Sequence, residues 1–322
     1  MKTLIVSQEE KMVRKRLLLL LKPFDVYPSH EPSVISSSNS LKVFRYLNDR
    51  MLVHKSAINF CQNILKKKPV DWKAVFRNDV SQAISDVDLV ITVGGDGTLL
   101  QASHFMDDRI PVLGVNSDPT RPEELEKLNE EFDASRSTGY LCASTANNFE
   151  QILDEILENL YEPSELARMA ISINSKLIPT SALNDVLLAH PCPATVSRFS
   201  FRSGRNEKPS SLVHCRSSGF RVSTAAGSTA AMLSAGGSAM PILSNDLQYI
   251  VREPISPVVL SHLMHGHVKF DERLEVTWFC REGLVYIDGS HLVHPIGHGD
   301  VIKLSSMAPR LKVYLPRHLL SQ

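Results

Sequence analysis

The sequence predicts an α/β amino-terminal half built on a mostly parallel sheet, followed by an all-β carboxy-terminal half. Three observations carry this. Short apolar runs at Leu17–Leu21, Asp88–Val93 and Pro111–Val115 alternate with helical stretches, as strands buried on both faces do. A glycine-rich turn, Gly94–Gly97, joins one of those strands to a helix. After Pro163 the alternation stops, and short β-type segments separated by turns such as Arg281-Glu282-Gly283 and Asp288-Gly289 take over.

Taken in order, Leu17–Leu21 reads as a buried strand closed by Lys22-Pro23. Residues 28–40, with two Pro and six Ser, read as loop. Val53, Ala57, Phe60, Cys61, Ile64 and Leu65 recur at helical spacing, and Lys66–Lys68 follow where cations suit the helix dipole. A helix over Leu99–Met106 follows the glycine turn, and Phe149, Ile152, Leu153, Ile156, Leu157 and Leu160 make the apolar stripe of another. Strands are then expected at Met169–Ile173, Leu183–Leu188, Val196–Phe201, Leu212–Cys215 and Phe220–Val222. More follow at Leu274–Phe279, Leu284–Ile287, Val301–Leu304 and Leu311–Leu315. The change of texture divides the chain into a Rossmann-like α/β nucleotide-binding domain, 1–150, and a β-rich domain, 151–322.

Composition narrows the function. The 322 residues are 43% hydrophobic and 22% charged, enough to bury a core without disulfides or metals. Net charge is zero, which argues against nucleic acid or a membrane surface as main partner and leaves any anionic ligand to local groups. The five cysteines form no Cys-x-x-Cys pair, which fits a reducing compartment. Leu17–Leu21, the longest apolar run near the start, is too short for a spanning helix or a signal-peptide core. The expected location is cytoplasmic; the final Leu320-Ser321-Gln322 is no Ser-Lys-Leu-type peroxisomal address, and translation could also begin at Met12. His262, His265 and His267, and again His291, His294 and His298, lack acidic or cysteine partners at metal-ligand spacing and read as loop or edge-strand residues.

The turn Gly94-Gly95-Asp96-Gly97-Thr98 is the informative segment. Its glycines allow a tight turn and let N–H groups approach an anion, and the helix start adds partial positive charge. It lies at the carboxyl end of a strand, where open α/β sheets bind ligands. A carboxylate placed among phosphates repels them unless it has a task, such as orienting an attacking hydroxyl and taking its proton. No Gly-x4-Gly-Lys-Ser/Thr loop occurs, and Leu100 stands where a dinucleotide Gly-x-Gly-x-x-Gly needs glycine. Gly94–Thr98 resembles the signature shared by NAD kinases, diacylglycerol and sphingosine lipid kinases and, more distantly, phosphofructokinases.

Two further segments select among these. Ser223–Ala230 is similar to the second NAD kinase motif, which lipid kinases lack, and Asn184-Asp185 to the family's Asn followed by Asp or Glu. Small residues there let a flat dinucleotide lie against backbone, and an Asn amide with a carboxylate suits adenine and ribose. Asn116 and Asp288-Gly289 match weaker positions. Residues 22–28, 114–119 and 224–231 resemble the plant NADH kinase branch of the family, which is expected to prefer NADH and to act as dimers.

The resemblance implies an NAD kinase-like fold and transfer of a phosphoryl group from ATP, with Mg2+, to the adenosine-ribose 2′-hydroxyl of NADH, and more weakly NAD+. Asp96 is then catalytic; Gly94, Gly95, Gly97 and Thr98 hold ATP phosphates. Asn116, Asn184, Asp185, Ser218, Thr224, Gly227, Ser228, Thr229, Ala230 and Ser234 hold the dinucleotide. A homodimer is implied too. Ser117, Ser218 and Ala231 depart from the family's usual Gly, Asp and Tyr. Ser218 in place of a carboxylate removes a Coulomb preference for the positive ring of NAD+, a tilt toward NADH that Asp118 could offset. The rival readings are a lipid kinase and a dinucleotide sensor without catalysis.

Overall fold

The computed structural model describes residues 14–27, 38–120, 138–205, 208–255 and 262–321. The alternative start at Met12 and residues 28–37 of the loop expected over 28–40 lie outside them. Strand β1, Arg16–Leu21, is followed by helix α1, Ser38–Leu65, then β2, Asp71–Phe76, and β3, Leu89–Gly94. Helix α2, Asp96–Ser103, leads to β4, Val112–Asn116, and β5, Ser144–Thr145; helix α3, Phe149–Leu157, leads to β6, Ser164–Leu166.

Thirteen of the remaining strands belong to the second half. They are β7 (Ala170–Ile173), β8 (Lys176–Leu177), β9 (Asp185–Ala189), β10 (Ser197–Arg205), β11 (Lys208–Pro209), β12 (Val213–Ser217) and β13 (Gly219–Ser223). After helix α4, Ala231–Ser234, come β14 (Leu247–Arg252), β15 (His265–Val268), β16 (Arg273–Trp278), β17 (Gly283–Ile287), β18 (Val293–Ile296) and β19 (Val301–Ser305). The last strand is β20, Leu311–Tyr314.

The first sheet runs β2-β1-β3-β4-β20-β6, with β5 beside β4, and all its pairs are parallel except β20 with β6. Leu17, Leu19 and Leu21 pack with Ile58, Cys61 and Leu65 of α1 and with α3, whereas Leu18 and Leu20 pack with Leu99 and Ala102 of α2. A strand covered by helices on both faces needs a continuous apolar run, which is what Leu17–Leu21 supplies. The sequence divides the chain at 150/151, but α3, β6 and β20 build the first sheet and its cover, so the chain returns to that layer at its end.

The second half is a sandwich of two antiparallel sheets, β11-β10-β16-β19-β7-β8 with β12 on β10, and β15-β14-β13-β9-β17-β18. Phe199, Phe201, Phe220, Tyr249 and Trp278 meet in its core. Two local expectations change. Ser38, Asn39 and Ser40 begin α1 instead of ending a loop. Lys68 is no free solvated cation after the helix: its ammonium binds Asp154 at 2.7 Å and Glu150 at 3.2 Å, tying the end of α1 to α3.

Candidate active site

Order in the first sheet fixes where a ligand fits. The β1-to-β2 connection passes through α1 on one face, and the β3-to-β4 connection through α2 on the other. Neighbouring strands β1 and β3 therefore send their chains apart at their carboxyl ends, which opens a crevice there. Lys22 lines it after β1, with its N–H bonded to Val93 O at 3.0 Å, and Gly94–Gly97 line it after β3.

Asp96 is the first residue of α2. Its carboxylate accepts the N–H of Tyr140 at 2.8 Å and that of Leu141 at 2.9 Å, with the Cys142 thiol 3.6 Å away. These donors fix the carboxylate's orientation at the first turn of α2. Burial and the neighbouring Asp96 push the Cys142 thiol well above its ordinary range. The turn carrying these donors starts at Gly139, whose φ of +69° suits glycine and where a Cβ would press on the Asn116 amide.

The three glycines of the loop are not equivalent. Gly95 is extended, with φ −107° and ψ −170°, so the turn itself does not need glycine there. Gly94 is required because the Thr98 side chain folds back onto it. A Cβ at Gly97 would meet nothing closer than Arg77 Nη1, 4.0 Å away, so that side of the loop is open to a ligand. Thr98 Oγ1 accepts from Arg77 Nη1 at 3.3 Å.

A buried histidine connects two strand ends, those of β1 and β4. His54 Nε2 lies 3.0 Å from Lys22 O, which can only accept, so the Nε2–H donates; Nδ1 then accepts from the Ser117 hydroxyl at 2.7 Å. Burial lowers the ring's pKa, which agrees with this neutral tautomer. Lys22, Arg77 and His54 were not singled out in the sequence; Lys22 and Arg77 follow strands whose adjacency no local motif records. Asp118 is paired with Arg50 at 3.3 Å, so it is no spare carboxylate for a nicotinamide ring.

The second half meets this crevice through α2. Leu183, Ala226 and Ile242 join Leu99 and Ala102 in one apolar cluster, which sets the 183–185 and 224–230 segments beside the helix that carries Asp96. Asp288 locks the junction. Its Oδ1 accepts the N–H groups of Asn184 at 2.8 Å and Asp185 at 2.9 Å, and its Oδ2 those of Leu183 and His104 Nε2, both at 2.8 Å. Arg168 adds a second clasp, donating to Ser103 O at 3.0 Å and Met106 O at 2.8 Å past the end of α2.

The Asn184 side-chain Oδ1 is buried without a hydrogen-bond partner, a vacancy a donor on a ligand would fill. Asp185 is ion-paired with Arg221; burial raises its pKa, and Arg221 works against that shift. Gly227 lies so close to Asn184 that a Cβ would come within 2.7 Å of the Asn184 Cα. Thr229 is half-buried, Ala230 and Ser234 are exposed beside it. The hydroxyls of Thr224 and Ser228 face inward instead: Thr224 donates to Leu183 O, and Ser228 to Ala225 O at 2.7 Å while accepting Met240 N at 2.9 Å. They shape the loop from inside, and its backbone and Thr229 are what it presents. Ser218 stands apart. It bonds Arg252 O at the start of β13, and five strand residues put it about 17 Å from Ser223. Within one chain, its side chain is thus remote from Asn184.

The histidine groups have local partners: His267 Nε2 is 3.1 Å from Gln248 Nε2, and His291 stacks on His104. Among the described residues no group of three or more His, Cys, Asp or Glu is placed to hold a metal ion.

Residues 15–118 match the family model described as the ATP-NAD kinase N-terminal domain. A "Probable NADH kinase" of Oryza sativa subsp. japonica is 56% identical, over 97% of this chain and 99% of that protein. The "NADH kinase" of Arabidopsis thaliana is 55% identical, over 97% and 98%. The chain belongs to the NAD kinase family. Two solved members share the fold: yeast NADH kinase complexed with NADH (TM-score 0.65, 14% identity, 94% of this chain and 83% of that one) and an Archaeoglobus fulgidus NAD kinase in complex with ATP (TM-score 0.64, 18% identity, 95% and 96%). Membership of this family accounts for the α/β layer joined to a β sandwich, with the Gly94–Thr98 loop at their junction.

Proposed function

We propose that this NAD kinase family member transfers the terminal phosphoryl group of ATP to the 2′-hydroxyl of the adenosine ribose of NADH, giving NADPH and ADP, and uses NAD+ more weakly. The observation that carries this is the Asp96 carboxylate, oriented by two backbone N–H groups at the mouth of a phosphate loop and facing a second half with an unpaired Asn184 acceptor. The 2′-oxygen attacks the terminal phosphorus as the bond to the ADP oxygen breaks. Its proton passes to Asp96 late in the transfer. Gly95 and Gly97 present N–H groups and an open face to the phosphates, and the start of α2 favours their charge. Asn184, Asp185, Gly227, Thr229, Ala230 and Ser234 hold the dinucleotide, with Asn116 behind the loop. Magnesium arrives as part of the MgATP substrate. Two copies form the working enzyme, in the cytoplasm.

The 55–56% identity to plant proteins named NADH kinase favours NADH as acceptor. A coupled assay with MgATP and NADH, NAD+ or diacylglycerol tests the reading. NADH is expected to give the highest kcat/KM, and no turnover with either dinucleotide would overturn it.

A further inference from the structure

We infer that Lys22 and Arg77 form a cationic clamp that grips the polyphosphate of ATP beside the glycine loop. The inference rests on the ATP-binding reading of this site and assigns its charge-bearing side chains. Both residues follow neighbouring strands, β1 and β2, at the same sheet edge as the glycine loop. Lys22 abuts that loop, its Cβ 3.1 Å from where a Cβ on Gly94 would stand, and Arg77 reaches the loop through Thr98 at 3.3 Å.

The charge balance is unusual. Among the described residues neither cation makes an ion pair. Lys22 Nζ has a neutral partner, the Tyr27 hydroxyl at 2.9 Å, with the Tyr27 ring 4.4 Å away. The Arg77 Nε is buried with no hydrogen-bond partner. The nearby carboxylate of Asp118 is taken by Arg50. Asp25 near Arg77 and Asp118 near Lys22 offset only part of the cost of burying two cations that repel one another, which leaves an electrostatic deficit that a polyanion would fill. Burial, then Arg77, depress the Lys22 pKa, as such crowding requires. The Gly97 face is open beside Arg77, which gives a phosphate room between guanidinium and loop N–H groups. An arginine fork and a lysine point charge are the usual pairing for phosphate oxygens. His54 sets the clamp's geometry by holding the Lys22 carbonyl.

The dinucleotide's own diphosphate is the other polyanion the clamp could take, so the test measures both ligands. ATP binding by calorimetry and NADH binding by fluorescence, each without the other, are compared in wild type, Lys22→Gln, Arg77→Gln and Arg77→Lys. Each Gln variant is expected to weaken ATP binding by about 10- to 100-fold while NADH binding changes less than about two-fold, with Arg77→Lys between. Unchanged ATP affinity in both Gln variants would overturn the clamp, as would a matching loss of NADH affinity, which would assign the cations to the dinucleotide. Should Arg77→Gln melt early, Lys22→Gln and Arg77→Lys decide alone. A wild-type protein that binds ATP but phosphorylates no dinucleotide would defeat the functional reading and leave the clamp standing.

Discussion

Replacing Asp288 with Asn is the sharpest structural perturbation of the site. The side chain is 0% exposed, and its partner His104 5%. Asp288 has φ +52°, a conformation Asn adopts as readily as Asp, so the backbone is left undisturbed. The carboxylate accepts four hydrogen bonds, two on each oxygen. An amide keeps one oxygen and presents an NH2 group to the other two donors, so two charge-assisted bonds are lost. At about 1.5–3 kcal/mol each, the variant loses about 3–6 kcal/mol of stability. Because the lost bonds anchor Asn184 and Asp185 or the end of α2, the KM for NADH rises as well. Urea denaturation of wild type and variant, with steady-state kinetics at fixed ATP, measures both effects. A loss under about 1 kcal/mol with unchanged KM would show that Asp288 does not hold the two halves in register.

Two further outcomes follow from the same geometry. Burial lowers the pKa of His54 below its ordinary 6.5, so the unfolded chain binds the proton more readily. The stability contributed by the neutral ring is full above that value and lost as pH falls toward the lowered one; His54→Gln is expected to flatten the pH dependence of the denaturation midpoint below 6.5. Among the cysteines, Cys192 is exposed and its thiol pKa is lowered by the Ala194 backbone and the Thr195 hydroxyl, while burial raises Cys61 to about 12 and Cys215 to about 11. Thiol titration of native protein should therefore show a rapid phase that Cys192→Ser abolishes, with Cys61, Cys142 and Cys215 reacting only after denaturation; rapid labelling of Cys142 would contradict the packing around Asp96.

Much of this was legible in the sequence, where a local pattern has a single physical reading. The all-leucine run of β1 had to be a strand covered on both faces, and Gly94–Thr98 had to be a strand-to-helix turn. The first turns of α1 were not legible, because Ser38, Asn39 and Ser40 favour caps and turns, and only its later residues carry the apolar stripe. Strand β2 escaped because, as an edge strand, it is only partly covered and mixes Asp71 and Lys73 with Trp72 and Val75. The site shows the same division. Asp96, Asn184 and Gly227 were found by motif. Lys22, Arg77, His54 and His104 were not, since their meaning comes from which strands lie side by side. The hydroxyl-rich second motif misled in one respect: Thr224 and Ser228 turn inward, where the Leu183 and Ala225 carbonyls and the Met240 N–H need partners.

The most direct test of the account is single-turnover phosphoryl transfer by Asp96→Asn with bound NADH. The amide is isosteric and keeps one acceptor, so NADH is still expected to bind with little change. It cannot take the 2′-hydroxyl proton, and transfer should slow by about 10²- to 10⁴-fold. Transfer within a few-fold of wild type, with NADH bound normally, would contradict the role given to that carboxylate.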